Sequence, residues 1–191
     1  MVVARAGLTT QAVVERAAEL LEQDRSTELT LAALARSLGV RTPSLYKHVA
    51  GADDLRRSLM IRAKTALADA LARAAIGRSR DDALHAVAAA YRDWALQHPA
   101  QYPLTVRAPQ PGDVDDERAS AASLEVIYSI LAGYRLAGDD AVHATRLLRS
   151  VLHGFLSLEN AGAFRIPLDT EASYTRAVDS VIAALNAWHR G

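Results

Sequence analysis

The side chains best equipped for chemistry lie together between residues 41 and 48: Arg41, Thr42, Pro43, Ser44, Tyr46, Lys47 and His48. Nearly all are cations or hydrogen-bonding groups, and the chemistry they suit is recognition of a polyanion. Arg41 and Lys47 are candidates for the two acceptors on a guanine edge, whereas the Thr42 and Ser44 hydroxyls donate or accept toward several bases and discriminate weakly. Lys47 also suits a phosphate, or simply solvent. Tyr46 could set its hydroxyl on a phosphate, its ring on a thymine methyl, or its ring over a small core. Catalytic patterns are missing elsewhere. Single Ser, His and Asp residues are plentiful, but there is no Gly-x-Ser-x-Gly, phosphate loop or His-x-x-x-His. His143 and His153, ten apart on one expected helix, point to different azimuths and are not expected to share a metal. The chain is therefore not read as an enzyme, and no cofactor is expected.

The elements that must position these residues are legible in residues 30–49, TLAALARSLGVRTPSLYKHV. Leu31, Leu34 and Leu38 recur at helical spacing, with small Ala35 where a second helix can cross closely. Gly39 stands where a stopping helix needs a left-handed residue. Thr42-Pro43 reads as an N-cap followed by proline at the first helical position, and Leu45 and Val49 repeat four apart. This is helix-turn-helix geometry, whose second helix enters the DNA major groove with its N-terminal turn toward base edges. Thr30 caps the preceding helix, with Leu29 stapled on Leu34, and can bring that N-terminus to a phosphate. An earlier helix starts at Thr9, with Leu8 against Val13, and runs to about Gln23. A fourth starts near Gly51, with Asp53 and Asp54 favourable to its dipole, and runs to about Ala75.

Half of the 191 residues are apolar, enough for a sizeable core, and alternating β-branched runs are nearly absent, so the expected class is all-α. The net charge of zero conceals an asymmetry: residues 1–64 carry +3 and residues 65–191 carry −3. Cysteine is absent, the N-terminus lacks a signal-peptide core, and no run approaches the ~18 apolar residues of a membrane span. A cytoplasmic protein is expected. Division into residues 1–52, a DNA-binding domain, and residues 53–191, a ligand-binding and dimerisation body, follows from the position of the turn motif.

In the body, helices are expected at about Asp81–Gln97, Ala119–Leu136, Asp139–Ala161 and Thr170–His189, with an irregular connection from Pro103 to Asp116. Tyr91, Trp94, Tyr102, Tyr128, Leu131, Tyr134 and Phe155 are candidates to line an apolar cavity. Arg107, His98 and His153 are candidate polar anchors there, and solid core packing is the competing account. Leu147, Leu148, Val151, Leu152, Phe155, Leu156 and Leu158 cover more of one helix than a monomer's surface should, so a homodimer is expected, with Leu152 or Val181 candidates for facing the partner.

The residues around the turn resemble the DNA-binding domain of the TetR family of bacterial transcription regulators. The resemblance rests on Leu38-Gly39-Val40, Leu45-Tyr46-Lys47-His48-Val49 and Asp53-Asp54-Leu55, and spans about the first third of the chain. It implies a fold of about nine helices and phosphate contacts from Tyr46 and His48. The family usually places a Lys at the start of the fourth helix. Ala52 stands there, leaving one backbone contact per subunit without its usual donor. The run from Leu152 to Glu159, with His153-Gly154, resembles one subclass of TetR C-terminal domains, the WHG type. Together these imply a homodimeric repressor that leaves a palindromic double-stranded operator when a small apolar or aromatic effector binds. The rival function is a helical small-molecule-binding or enzymatic body with a vestigial head.

Overall fold

The computed structural model describes residues 8–23 and 29–188. Among these the regular elements are all helices: α1 (Thr10–Gln23), α2 (Leu31–Ser37), α3 (Thr42–Leu45), α4 (Ala52–Ala75), α5 (Arg80–Gln97), α6 (Tyr102–Thr105), α7 (Val114–Ala132), α8 (Gly138–Asn160) and α9 (Thr170–Ala187). The caps read from sequence are in place. Thr9 and Thr30 accept hydrogen bonds from the amides of Ala12 and Ala33, each at 3.1 Å.

Two apolar cores form. Val13, Ala17, Leu34, Leu45 and Val49 build the first, to which α4 contributes Leu55 and Leu59. The second begins on α4 at Ala63, Leu67 and Leu71 and gathers α5, α7, α8 and α9. One continuous helix thus belongs to both, and Leu104 of α6 packs against both cores. Helix α4 packs most extensively on α7.

Several boundaries differ from the sequence reading. Arg41, not Thr42, occupies the N-cap of α3, because the Ser44 amide donates to the Arg41 carbonyl at 2.8 Å and closes the turn one residue earlier. The segment expected to be irregular contains α6, whose Pro103 sits in the first turn, where its missing N–H costs nothing. Helix α7 starts at Val114, five residues early. Asp113 caps it, and Asp115, Asp116 and Glu117, which look like loop acids in the sequence, face its N-terminal dipole. It ends at Ala132 because Arg135 turns left-handed at φ 62°, and the Leu136 amide returns to the Leu131 carbonyl. The expected end of α9 at His189 lies outside the described residues.

Leu152 and Val181 do not face outward: both are buried within the single chain, each 3% exposed. The apolar excess of α8 surfaces instead at Leu158, which is half exposed, and continues into Phe164, Ile166 and Leu168. These follow the end of the helix, where periodicity no longer reports orientation.

A salt-bridge cluster locks α4 to the start of α7. Arg57 donates to both carboxylate oxygens of Asp113 and, at 3.2 Å, to Asp115. The bonds from Arg57 hold the Asp113 carboxyl down to about 2, against an ordinary 3.8. A depressed carboxylate stabilises the fold above its unfolded value and loses that contribution as pH falls toward the folded one. The melting midpoint is therefore expected to fall between about pH 4 and pH 2. Asp113→Asn keeps a capping acceptor but removes the charge, so its midpoint should lie below wild type at neutral pH and converge with it toward pH 2. Parallel melting curves for the two proteins over that range would disprove the assignment.

Candidate functional site

The head presents its recognition residues by elimination. Leu45 and Val49 are buried under α3, and Gly39 reverses the chain at φ 66° between α2 and α3. Arg41, Pro43, Ser44, Tyr46 and Lys47 therefore project outward, with Thr42 and His48 half-buried beside them. Tyr46 is 57% exposed, so its ring is not the lid of the small core. Arg41 and Lys47 form no ion pair among the described residues and remain available to an external anion. Thr30 is exposed at the N-terminus of α2, its hydroxyl engaged as a cap. Ala52 is exposed at the first position of α4, where the Ala50 amide donates to Asp54 at 2.8 Å.

The body contains a cavity of about 270 Å³ between α4, α5, α7 and α8, closed at one side by residues 105–109. Leu67, Leu71, Val87, Leu124, Ile127, Leu148 and Leu152 supply apolar walls. Lys64 lies at its inner end, paired with fully buried Asp116 and donating to Ser120 at 2.9 Å. Asp116 also accepts the Gln110 amide at 3.0 Å. Burial pushes the Asp116 carboxyl up, but the bonds from Lys64 and Gln110 outweigh it and hold the group below its ordinary value. Arg107, Glu117 and Arg149 stand at the exposed rim.

Of the ten residues expected to line a ligand site or anchor a ligand there, the structure brings only Tyr91 and Arg107 to this cavity. Tyr102 lies behind Tyr91, their hydroxyls 3.1 Å apart, and its hydroxyl also meets His153 Nδ1 at 2.7 Å. Burial raises the ionisation points of both tyrosines and lowers that of His153, so the cluster is neutral near pH 7. The remaining rings point elsewhere. Trp94 packs at a tilt against His98, ring centroids 4.9 Å apart, along a cleft between α4 and α5. Tyr128 is exposed, and Leu131 is solid core. Tyr134, beyond the end of α7, donates to Asp81 at 2.6 Å beneath the Arg80 guanidinium. Phe155 packs on Phe164 and Tyr174.

Spacing along a helix places residues on one side without saying which neighbour that side meets, so the rings were legible but their grouping was not. Lys64 and Arg149 were missed; a signal existed for Lys64, which shares an otherwise apolar stripe with Leu67 and Leu71, but not for Arg149, whose helical neighbours include Thr145, Arg146 and His153. A cation on such a stripe requires a specific partner or an opening.

Body and head are joined by direct contacts. Next to Tyr102, Gln101 donates through its amide and Nε2 to Glu22 of α1, at 3.0 and 3.1 Å. The Ala100 amide donates to the same carboxylate at 3.1 Å, and Arg62 of α4 donates to Gln101 Oε1 at 2.8 Å.

A helix-turn-helix head whose long fourth helix forms the wall of a cavity-bearing helical body is the architecture of a DNA-binding transcription regulator. Comparison with known proteins agrees. The family profile of the tetracyclin repressor-like C-terminal domain matches residues 84–181. The HTH-type transcriptional regulator Rv0681 of Mycobacterium tuberculosis is 37% identical over 181 residues, covering 94% of this chain and 83% of the relative. YobS of Bacillus subtilis, another HTH-type transcriptional regulator, is 33% identical over 95% of this chain and 94% of its own. Among solved structures, a protein of unknown function from Rhodococcus sp. RHA1 superposes with a TM-score of 0.80 at 25% identity, covering 96% of this chain and 98% of that one. A TetR variant of Acinetobacter baumannii AYE crystallised with minocycline shares the fold, with a TM-score of 0.73 at 22% identity over 95% and 98% of the two chains. The chain belongs to the TetR family of transcriptional regulators. Among the described residues no helix is long and apolar enough to cross a membrane.

Proposed function

We propose that this regulator is a homodimeric repressor whose operator affinity falls when a small molecule occupies the body cavity. The supporting observation is the shared helix α4, which packs into the head core through Leu55 and Leu59 and walls the cavity through Leu67 and Leu71. A ligand that pushes on the second half of α4 therefore moves the first. The Gln101–Glu22 contacts and Leu104 give a second path, from Tyr91 and Tyr102 to α1. On this reading head and body divide within α4, between Leu59 and Ala63, rather than at its start.

Arg41, Thr42, Pro43 and Ser44 meet the major groove, while Tyr46, Lys47, His48 and the Thr30 end of α2 meet phosphates. Two heads on a two-fold axis address half-sites about 34 Å apart, so the operator is near-palindromic. A ligand that binds the DNA-incompetent arrangement more tightly weakens operator binding by about 5- to 150-fold for a coupling of 1–3 kcal/mol. Selection of bound sequences from random DNA tests this directly and should return an inverted repeat. Absence of any enriched sequence at moderate salt would favour the rival reading, a vestigial head on a ligand-binding body.

The dimer surface is proposed to include Leu158 and the exposed Phe164, Ile166 and Leu168. Leu158→Asp with Ile166→Asp is expected to yield a folded monomer, whereas Leu152→Asp should unfold the chain, since it buries a charge in the core. Sedimentation and circular dichroism separate these outcomes. A wild-type monomer at micromolar concentration would overturn the assembly.

A further inference from the structure

The geometry points to a monocarboxylate with an apolar chain or ring as the ligand class for the body cavity. This rests on the cavity being the effector site proposed above, and on how its charges are disposed. Three cations line the space. Lys64, at the inner end, is neutralised by Asp116 and has no charge to offer. Arg107 and Arg149, at the rim, form no ion pair among the described residues; Arg149 donates only to the Val106 carbonyl, at 2.8 Å. The one acid at the rim, Glu117, accepts the Gly112 amide at 3.0 Å. Two arginines against one glutamate leave the mouth positive.

Between the neutralised inner end and the charged mouth the walls are mostly aliphatic, with Tyr91 as the aromatic face; of the hydroxyls among them, those of Thr105, Ser120 and Thr145 are engaged within the protein. A ligand that matches this gradient is amphipathic, its tail inside and a single anionic group at the rim. Guanidinium groups pair with carboxylates in a planar, two-bond geometry. The enclosed volume, about 270 Å³, lies at the small end of ligand pockets, which favours a medium-length chain or one ring over a multi-ring molecule. Arg149 is better placed than Arg107 to act as the anchor. It rises from the rigid α8, whereas Arg107 lies in the connection after α6. Burial is the larger influence on the titration of Tyr91, Tyr102 and His153, and the Arg149 charge is felt by all three.

Isothermal titration of the full-length protein with octanoate, octanol and octylamine, at low ionic strength, separates tail from head group. Octanoate is expected to bind at least about tenfold more tightly than octanol, and octylamine more weakly than either. Decanoate should bind more tightly again, about fourfold per added methylene while the tail still fits. Arg149→Gln, which retains a donor for Val106, should bring octanoate down to the affinity of octanol without weakening octanol itself. Equal binding of octanoate and octanol to the wild type overturns the anionic assignment while leaving the cavity as a ligand site. Binding of none of the three up to millimolar concentration overturns the cavity reading as well. A preference for octanoate that survives in both Arg149→Gln and Arg107→Gln would also overturn the proposal. The comparison of head groups on the wild type stands even if a variant fails to fold.

Discussion

Asp116→Ala is expected to lower the melting midpoint by roughly 6–20 °C at pH 7. Lys64 is only 3% exposed, and Asp116 supplies its counter-charge from the first turn of α7. Removing one partner of a buried pair leaves an uncompensated charge, at a cost of about 3–5 kcal/mol. For a domain of this size each kcal/mol shifts the midpoint by about 2–4 °C. The Gln110 amide loses its acceptor at the same time, which frees the connection that closes the cavity. Replacing both partners with apolar residues, Lys64→Met with Asp116→Leu, removes the orphaned charge and should recover most of the loss. A single variant melting within about 2 °C of wild type would show that the pair is not desolvated as the structure has it. Because the pair joins α4 to α7 beside the cavity, the single variant should also respond more weakly to ligand.

Lys47→Ala is expected to weaken operator binding strongly and in a salt-dependent way while leaving the dimer and its melting midpoint unchanged. Lys47 is exposed, makes no ion pair among the described residues and is not part of the head's apolar core. Each lost phosphate contact lowers the slope of log affinity against log salt by about 0.9, so a dimer loses roughly 1.8. At 0.15 M salt that corresponds to about thirtyfold in affinity, shrinking as salt rises. Tyr46→Phe keeps the ring and removes one hydroxyl, so a milder loss is expected, close to uniform across operator sequences. Fluorescence anisotropy on the selected operator at several salt concentrations measures both. An unchanged slope for Lys47→Ala would remove that side chain from the interface. A loss confined to operators with one particular base would instead move it from phosphate to base readout.

The head was nearly complete in the amino-acid order because its information is local. The capping threonines, the left-handed Gly39 and the two stapled entries act within four or five residues, and each forces its element whatever the rest of the chain does. The outward face of α3 was equally readable, since burying Leu45 and Val49 leaves the intervening side chains no direction but out. The all-α class and the turn motif followed from such local rules, whereas the count of about nine helices was what the family resemblance implied. The body obeyed them only in part. Asp115, Asp116 and Glu117 resemble loop residues until α7 is seen to begin beneath them, and α6 is too short to show any period.

The contents of the cavity were settled by packing between helices distant in sequence. Helical periodicity put Tyr91, Tyr128 and Tyr134 each on a definite side of its helix. Only the crossing of α4 with α5 and α7 determined that the first meets a void, the second solvent and the third a carboxylate on Asp81. The packing of α8 and α9 on each other and on α5 took Leu152 and Val181 into the core. By itself, then, the sequence determined an all-α chain with a helix-turn-helix head and the residues that head turns outward, because those depend on near neighbours. The tertiary structure decided where a space is left, which charges face it and how it reaches the head, because those depend on pairs such as Lys64 with Asp116 and Glu22 with Gln101, more than fifty residues apart.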